Sequence, residues 1–481
     1  MNLRVISKNI GLALLVDAGF MFLSAAVAAY YHFDSSFAPL LLSALLTLTV
    51  GILPIIFVGK GQNRITNVEG LLILFLAWFL SCVFGLMPYA LWGGEFSLEN
   101  AWFESVSGLT ATGATILQDI ESLPRGLLFW RQSTHFIGGL GVVVFMMIIL
   151  PSAGTVKLRM RQLEVSDTSA REYNFRSNKI VGVVLTIYVS AMVLCSLLFL
   201  LAGMNLFESV TNAFSVVATG GFSTRNASIG AFGSRWIELI AMFFMLVSSM
   251  HYGLLYSSIV GRNLNLFRNP VVKFFFASIG IGIVLIFSAL MISGTYTNPL
   301  EALHQAAFNV ISLGSSTGMA TVDTSVWPTF CMMILLYFSM QCGCSGSTTG
   351  GVKVDRIWLL FRAMRAQVVR TIHPNAVVRV NWNGSAAEVG MINSVTAYVV
   401  IYFIILLFCA TFYSACGMDM VDSFTGSCAC VSNVGPAFGS IGSLENYAQV
   451  PTVAKLMMGL EMIVGRLGFY AAFSIFAIRR H

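Results

Sequence analysis

The stretch "GLTATGATIL", Gly108 to Leu117, sets two threonines against a glycine directly after an apolar run, without a single charge. It has three counterparts. The segment "AWFESVSGLTATGAT" ends near Thr115, "LFESVTNAFSVVATGGFST" near Thr224, "ALHQAAFNVISLGSSTGMAT" near Thr321 and "DSFTGSCACVSNVGPAFG" near Gly439. Taking Gly113, Gly220, Gly318 and Gly435 as equivalent gives separations of 107, 98 and 117 residues. One Thr-Gly pair is an ordinary turn. Four at a near-constant period, each after a half-length apolar segment, form a fourfold internal repeat.

The surroundings of these turns are a membrane. Of the 481 residues 57% are hydrophobic and 10% charged, and the mean hydropathy is +0.81, outside the range of soluble globular domains. Uncharged runs of about 20 residues, the length that crosses roughly 30 Å of hydrocarbon, fall near 10–30, 38–58, 70–92, 132–150, 180–203, 236–258, 271–293, 328–350, 391–415 and 452–478, which predicts ten crossings. The first run is too long for a signal-peptide core and reads as a helix. Basic residues orient the chain, because cytoplasmic loops retain Lys and Arg. With the amino terminus inside, 21 of the 27 basic residues fall on inner segments, and only Arg125, Arg131, Arg225, Arg235 and Lys455 on outer ones. Arg466 lies within the tenth span, and both termini are expected in the cytoplasm. The net charge of +6 is carried by short loops beside the membrane, where topology and anionic lipid account for it without nucleic acid.

A segment of about 12 apolar residues cannot span the bilayer, so it dips in and returns, which is tolerated where irregular backbone lines water or is buried in protein. Four such loops on one side surround an axis. A potassium ion leaving water needs its hydration oxygens replaced, and rings of backbone carbonyls do this without added charge. Glycine reaches the conformations that let consecutive carbonyls face the axis. The short helices turn their partly negative carboxyl ends toward the cavity, which favours a cation there. Ala111, Thr112, Gly113, Ala218, Thr219, Gly220, Ser316, Thr317, Gly318, Asn433, Val434 and Gly435 are therefore the expected ion-binding filter, with potassium as its ion.

The chain resembles the Trk/Ktr/HKT superfamily of potassium transporters, and within it the bacterial TrkH branch, over essentially its whole length. The resemblance rests on "GLTATGAT", "HFIGGLGVVVF" (His135 to Phe145), "GCSGSTTGGVKVDR" (Gly343 to Arg356), "SNVGPAFG" (Ser432 to Gly439) and "GRLGFY" (Gly465 to Tyr470). It implies an all-α polytopic membrane protein: an N-terminal two-helix domain at 1–66, then four repeats at 67–178, 179–268, 269–385 and 386–481, each an outer helix, a re-entrant pore helix with filter loop, and an inner helix. Glycine in all four loops goes with potassium selectivity in that superfamily, and serine in the first loop with sodium transport in some plant relatives. Departures are "STGMAT" without an aromatic after the glycine, Ala437 where another glycine is usual, and Gly468 where glutamate is frequent. The resemblance also implies a homodimer seated on a cytosolic, nucleotide-binding, TrkA-like regulatory ring, with the basic segments Lys157 to Lys179 and Arg356 to Arg379 as docking surface.

"CGCSGSTTGG", Cys342 to Gly351, interrupts the inner half of the eighth span with glycines and hydroxyl residues, a composition that melts a helix. Small residues also serve close helix packing. The resemblance instead makes Gly343, Gly346, Ser347, Thr348, Thr349, Gly350 and Gly351 a gate loop beneath the filter. Arg466 joins them, since a mid-span guanidinium costs at least about 2.5–3.5 kcal/mol and faces a cavity or a partner. Facing the pore it opposes passing cations; the alternative is an ion pair with Glu461. The nine cysteines lack zinc-site spacing, the six histidines form no nucleophile triad, and "GSTTGGVK" has the wrong spacing for a phosphate loop. No enzyme chemistry and no organic cofactor are expected. A sodium or mixed-cation transporter, a proton-coupled secondary transporter built on inverted repeats and a receptor-like membrane protein remain as alternatives.

Overall fold

The computed structural model describes residues 3–58, 67–149, 177–261, 265–376, 378–382, 385–469 and 471–472. Two helices, Leu3–Tyr30 and Phe37–Phe57, form an antiparallel pair. They meet at glycines: a Cβ on Gly11 would lie 2.5 Å from the Gly51 carbonyl oxygen, and one on Gly51 3.1 Å from that of Gly11. Close backbone approach through small residues is how helices hold together where lipid removes any hydrophobic drive between them.

After this pair, the order of long helix, short helix, extended loop and further helix occurs four times. The long helices are Asn67–Gly85, Ser177–Leu201, Pro270–Ile292 and Val389–Ala415. The short ones are Leu98–Leu109, Leu206–Ala218, Pro299–Gly314 and Met420–Ser432. Three of the short helices start at a side-chain cap: Asn205, Asn298 and Asp419 accept from the amides of Glu208, Leu300 and Val421, which satisfies otherwise orphaned donors. The helices that follow the loops are Arg125–Ile149, Arg235–Ser248, Thr329–Gln341 and Thr452–Leu467. Apart from a two-residue pairing of Asn381–Trp382 with Ser385–Ala386, the described residues carry no strand.

The packing is cyclic. Each short helix lies on its own long helix and also on the loop-following helix of the unit before it, and the first short helix lies on Thr452–Leu467, the last. The four units thereby close into a ring. One apolar core, with Phe199, Phe244, Phe275, Phe308 and Phe338, fills the second and third units. Another, with Met21, Trp78, Phe103, Trp130 and Met458, joins the N-terminal pair to the first and fourth. The outer faces of the long helices leave Leu194, Leu197, Ile281, Val284, Ile404 and Leu407 exposed, a pattern that suits hydrocarbon and not water.

By length and composition, six described helices can each cross a membrane, or seven if Arg235–Ser248 and Tyr252–Val260 count as one span. The expectation of ten plain crossings needs correction at three of them. The sixth bends by 100° between its two helices. The eighth stops as a helix at Gln341, where glycines and hydroxyl residues take over, and the tenth at Leu467, before Gly468 at φ +81°. These breaks come where backbone polar groups find partners inside the protein rather than in lipid. Tyr470 and residues 473–478 of the tenth span lie outside the described residues, as do residues 157–176 of the first basic segment. The second basic segment folds partly on itself: Arg356 is buried, donates to the Val352 carbonyl at 3.1 Å and lies 3.6 Å over the Tyr398 ring. Arg362 and Arg370 donate to the carbonyls of Asn381 and Val378.

Candidate functional site

All four short helices end in the same way. Ala111, Thr219, Ser316 and Asn433 adopt φ of 50°, 54°, 54° and 53°. Their amides donate three residues back, to Gly108, Val216, Leu313 and Cys430, and the amides of Thr112, Gly220, Thr317 and Val434 donate five residues back, to Ser107, Ser215, Ser312 and Ala429. This is the Schellman termination, here with a left-handed residue that is never glycine. Each such residue costs about 1–2 kcal/mol, and strain repeated at four matched positions marks a place where backbone direction matters more than local comfort.

One residue beyond the five-back amide stands a glycine at positive φ in every loop: Gly113 at 86°, Gly221 at 94°, Gly318 at 72° and Gly435 at 93°. The second loop is therefore shifted by one from the equivalence read in the sequence. Gly221, not Gly220, matches the other three; Ala218 is the last helical residue, and Thr219 and Gly220 correspond to Ala111 and Thr112. Gly220 is held to glycine for a different reason, because a Cβ there would lie 2.7 Å from Cε1 of the His135 ring.

Each of the four glycines abuts the next loop in cyclic order. A Cβ on Gly113 would lie 3.1 Å from the Gly221 Cα; one on Gly221 would collide with the Thr317 carbonyl, one on Gly318 with that of Val434, and one on Gly435 with that of Thr112. The contacts run from the first loop to the second, third, fourth and back to the first. All four glycines line a cavity of about 60 Å³ that also touches Arg131 and Glu445. Thr112 accepts from the Asn433 side chain at 3.0 Å, which ties the fourth loop to the first.

The ring is braced from the first unit. Arg131 and Glu104, both buried, pair at 2.6 Å. Arg131 donates to the Ser223 carbonyl at 2.9 Å, and Glu104 accepts from Thr115 and the Ile116 amide. Phe222 is sandwiched between the Arg131 guanidinium, 3.5 Å from its centroid, and the His135 ring, stacked at 4.1 Å. His135 in turn contacts the Ser215 hydroxyl at 3.0 Å. Sequence reading passed over Gly221, Glu104 and Arg131. Only the doubled glycine of "ATGGF" signalled the first, and a charge pair formed across 27 residues leaves no local pattern.

Against the other side of the ring, residues 342–353 form a buried loop. Thr348 accepts at its hydroxyl from Thr219 at 3.1 Å; the Gly350 amide donates to the Ser316 hydroxyl at 3.0 Å; a Cβ on Gly350 would collide with the Ser432 carbonyl. The loop thus touches the ends of three short helices. Gly343 and Cys344 lie on Ser249, Gly346 packs on His251, Ser347 bonds Thr349 at 2.7 Å, and Gly351 packs on Cys342. Ser249 and His251 are the bend between Arg235–Ser248 and Tyr252–Val260, so two broken helices meet at this loop.

Arg466, buried, donates to the Thr348 carbonyl at 2.6 Å and to the Gly138 carbonyl at 3.2 Å. It makes no ion pair with Glu461. That carboxylate accepts instead from Ser427 and Tyr413, each at 2.6 Å, joining the fourth short helix to its long helix. The described cysteines are all free, eight of the nine are buried, and no described cluster of His, Cys, Asp and Glu could hold a metal.

A closed ring of four short helices and four strained loops, set among lipid-facing helices, defines a polytopic membrane transport protein. The family described as TrkH, cation transport protein, matches residues 86–480. The chain belongs to the TrkH family of cation transport proteins, which is not a family of enzymes. It is 31% identical to the Trk system potassium uptake protein TrkH of Escherichia coli (strain K12) over 482 residues, 99% of each chain. It is 32% identical to the protein of that name from Halomonas elongata over 483 residues, 99% of this chain and 98% of the other. It matches the crystal structure of the potassium transporter TrkH from Vibrio parahaemolyticus with a TM-score of 0.89 at 29% identity, covering 99% of this chain and 98% of that one.

Proposed function

We propose that this chain takes up potassium ions across the bacterial cytoplasmic membrane, through the axis of its four-loop ring. The observation that carries the reading is the cyclic packing of Gly113, Gly221, Gly318 and Gly435, each against the next loop, at the ends of four converging short helices. The proposed filter is Ala111, Thr112 and Gly113; Thr219, Gly220 and Gly221; Ser316, Thr317 and Gly318; and Asn433, Val434 and Gly435. Their carbonyls replace the hydration shell, aided by the partial negative charge of the helix ends. Its relatives' names support potassium as the transported ion.

The loop with Gly343, Gly346, Ser347, Thr348, Thr349, Gly350 and Gly351 is the proposed gate, since it fills the space beneath the ring, and Arg466 holds it there through Thr348. The recurrence of elements supports a division into 1–66 and repeats at 67–178, 179–268, 269–385 and 386–481. Charge bias supports termini on the cytoplasmic side. The protein acts as a homodimer on a TrkA-like cytosolic ring, docked by the basic segments between Lys157 and Lys179 and after Arg356, whose own side chain is engaged within the fold.

Potassium and sodium flux in liposomes carrying the purified protein tests this reading. Potassium flux whose selectivity over sodium is lost when the ring glycines are replaced supports it; a folded protein without cation flux refutes it.

A further inference from the structure

Thr348 and Thr349 present consecutive carbonyls in the buried loop, and each is held by a cationic side chain of different origin. Arg466 of the last helix donates to the Thr348 carbonyl at 2.6 Å. The Lys353 ammonium turns back on its own loop and donates to the Thr349 carbonyl, with the Thr349 hydroxyl at 3.3 Å. Lys353 pays for this reach with a backbone φ of 77°, which an L side chain rarely adopts, and strain of this kind persists only when the surroundings over-determine it. The Lys353 amide donates to the Gln341 carbonyl at 3.1 Å, the Val354 amide to Gly343 at 3.0 Å, and Asp355 accepts from the Ser345 amide at 2.5 Å. His251 packs on Gly346. The loop is therefore clasped at both ends, and Lys353 is the clasp that travels with it.

A carbonyl beside a threonine hydroxyl is the ligand chemistry that a filter offers to a dehydrated monovalent cation. An ammonium group competes for the same lone pairs with its three donors. We propose that Lys353 is a tethered cation that keeps the loop shut by occupying the Thr349 oxygens, and that a potassium ion arriving at the loop displaces it. The proposal rests on reading residues 342–353 as the gate. A potassium ion that binds only the released oxygens shifts the loop toward its open form by mass action, so the transported ion favours its own passage. Lys353 is here a positioning residue for the gate and not a filter ligand.

Potassium flux in proteoliposomes is to be compared for the wild type, Lys353→Gln, Lys353→Arg and a deletion within Gly346 to Gly350. The glutamine variant is expected to raise flux about tenfold, the scale of one lost charge-assisted hydrogen bond, and the arginine variant to fall between it and wild type. If the deletion raises flux while Lys353→Gln stays at the wild-type level, or if arginine leaks as much as glutamine, the tethered-cation role is overturned and the gate survives. If the deletion does not raise flux, both fall. A second readout needs no variant: hydrogen exchange of amides 345–351 in the unmodified protein, in potassium chloride against N-methylglucamine chloride at equal ionic strength. Faster exchange in potassium supports displacement; equal exchange overturns it.

Discussion

Gly113, Gly221, Gly318 and Gly435 combine positive φ with a neighbouring loop where a Cβ would stand, so a side chain at any of them costs both backbone strain and a collision. Gly113→Ser and Gly221→Ser are each expected to lower potassium-over-sodium discrimination about tenfold, a loss of roughly 1.4 kcal/mol, read as permeability ratios with expression unchanged. Gly220→Ala is expected to behave differently. The atoms nearest its Cβ are those of the His135 ring, so the overpacking cost of about 1–3 kcal/mol appears as a lower thermal unfolding midpoint. Equal selectivity losses at 220 and 221 would contradict the register read from the backbone. Arg466 holds Thr348 by a charged hydrogen bond in a buried site, where such bonds are strong and lone charges poorly screened. Arg466→Ala is expected to raise cation flux with selectivity retained, because the ring is untouched. Arg466→Lys falls between alanine and wild type, since it keeps the charge without the planar fork that reaches both Thr348 and Gly138. A rise in flux accompanied by lost selectivity would place Arg466 in the filter itself.

At the scale of elements, the molecule separates parts that must be rigid from one that must yield. Three of the short helices are capped, each of the four is stacked on two neighbours, and the first is tied by Arg131 and Glu104. Removing one partner of a buried ion pair costs about 3–5 kcal/mol, because the other charge is left without compensation. Arg131→Ala is therefore expected to lower the thermal midpoint and the yield of folded protein, while Glu104→Gln, which keeps an acceptor for Thr115 and Arg131, costs less. A scan of unfolding midpoints decides between this and a pair with no structural weight. The loop at 342–353 is built from the opposite material. Glycines and small hydroxyl residues join it by hydrogen bonds to the ends of the second and third short helices and by the close approach of Gly350 to the end of the fourth. Shortening it within Gly346 to Gly350 is expected to give a folded protein with higher potassium flux; lower flux in a stable protein would make the loop a support for the pathway.

For the molecule as a whole, the fourfold repeat, the helical class and the membrane were legible because each rests on long apolar runs and on a motif repeated four times. The register of the second loop was not, since "ATGG" offers two glycines and only the pattern of backbone bonds distinguishes the left-handed Thr219 from its neighbours. The broken spans were half legible: the glycine-rich run at 342–351 announced itself, whereas the 100° bend at Ser249 to His251 sits in a stretch whose composition reads as continuous helix. The partners of Arg466 were out of reach, because Gly138 and Thr348 lie 328 and 118 residues away along the chain. The ring is the proposed route of the ion. Concentrative rubidium uptake into potassium-loaded liposomes, with sodium as competitor, measures it most directly on the wild type and Gly221→Ser side by side. Sodium is expected to inhibit uptake by the wild type barely and uptake by the serine variant strongly. Wild-type liposomes that take up no rubidium, or a serine variant as selective as its parent, would contradict it.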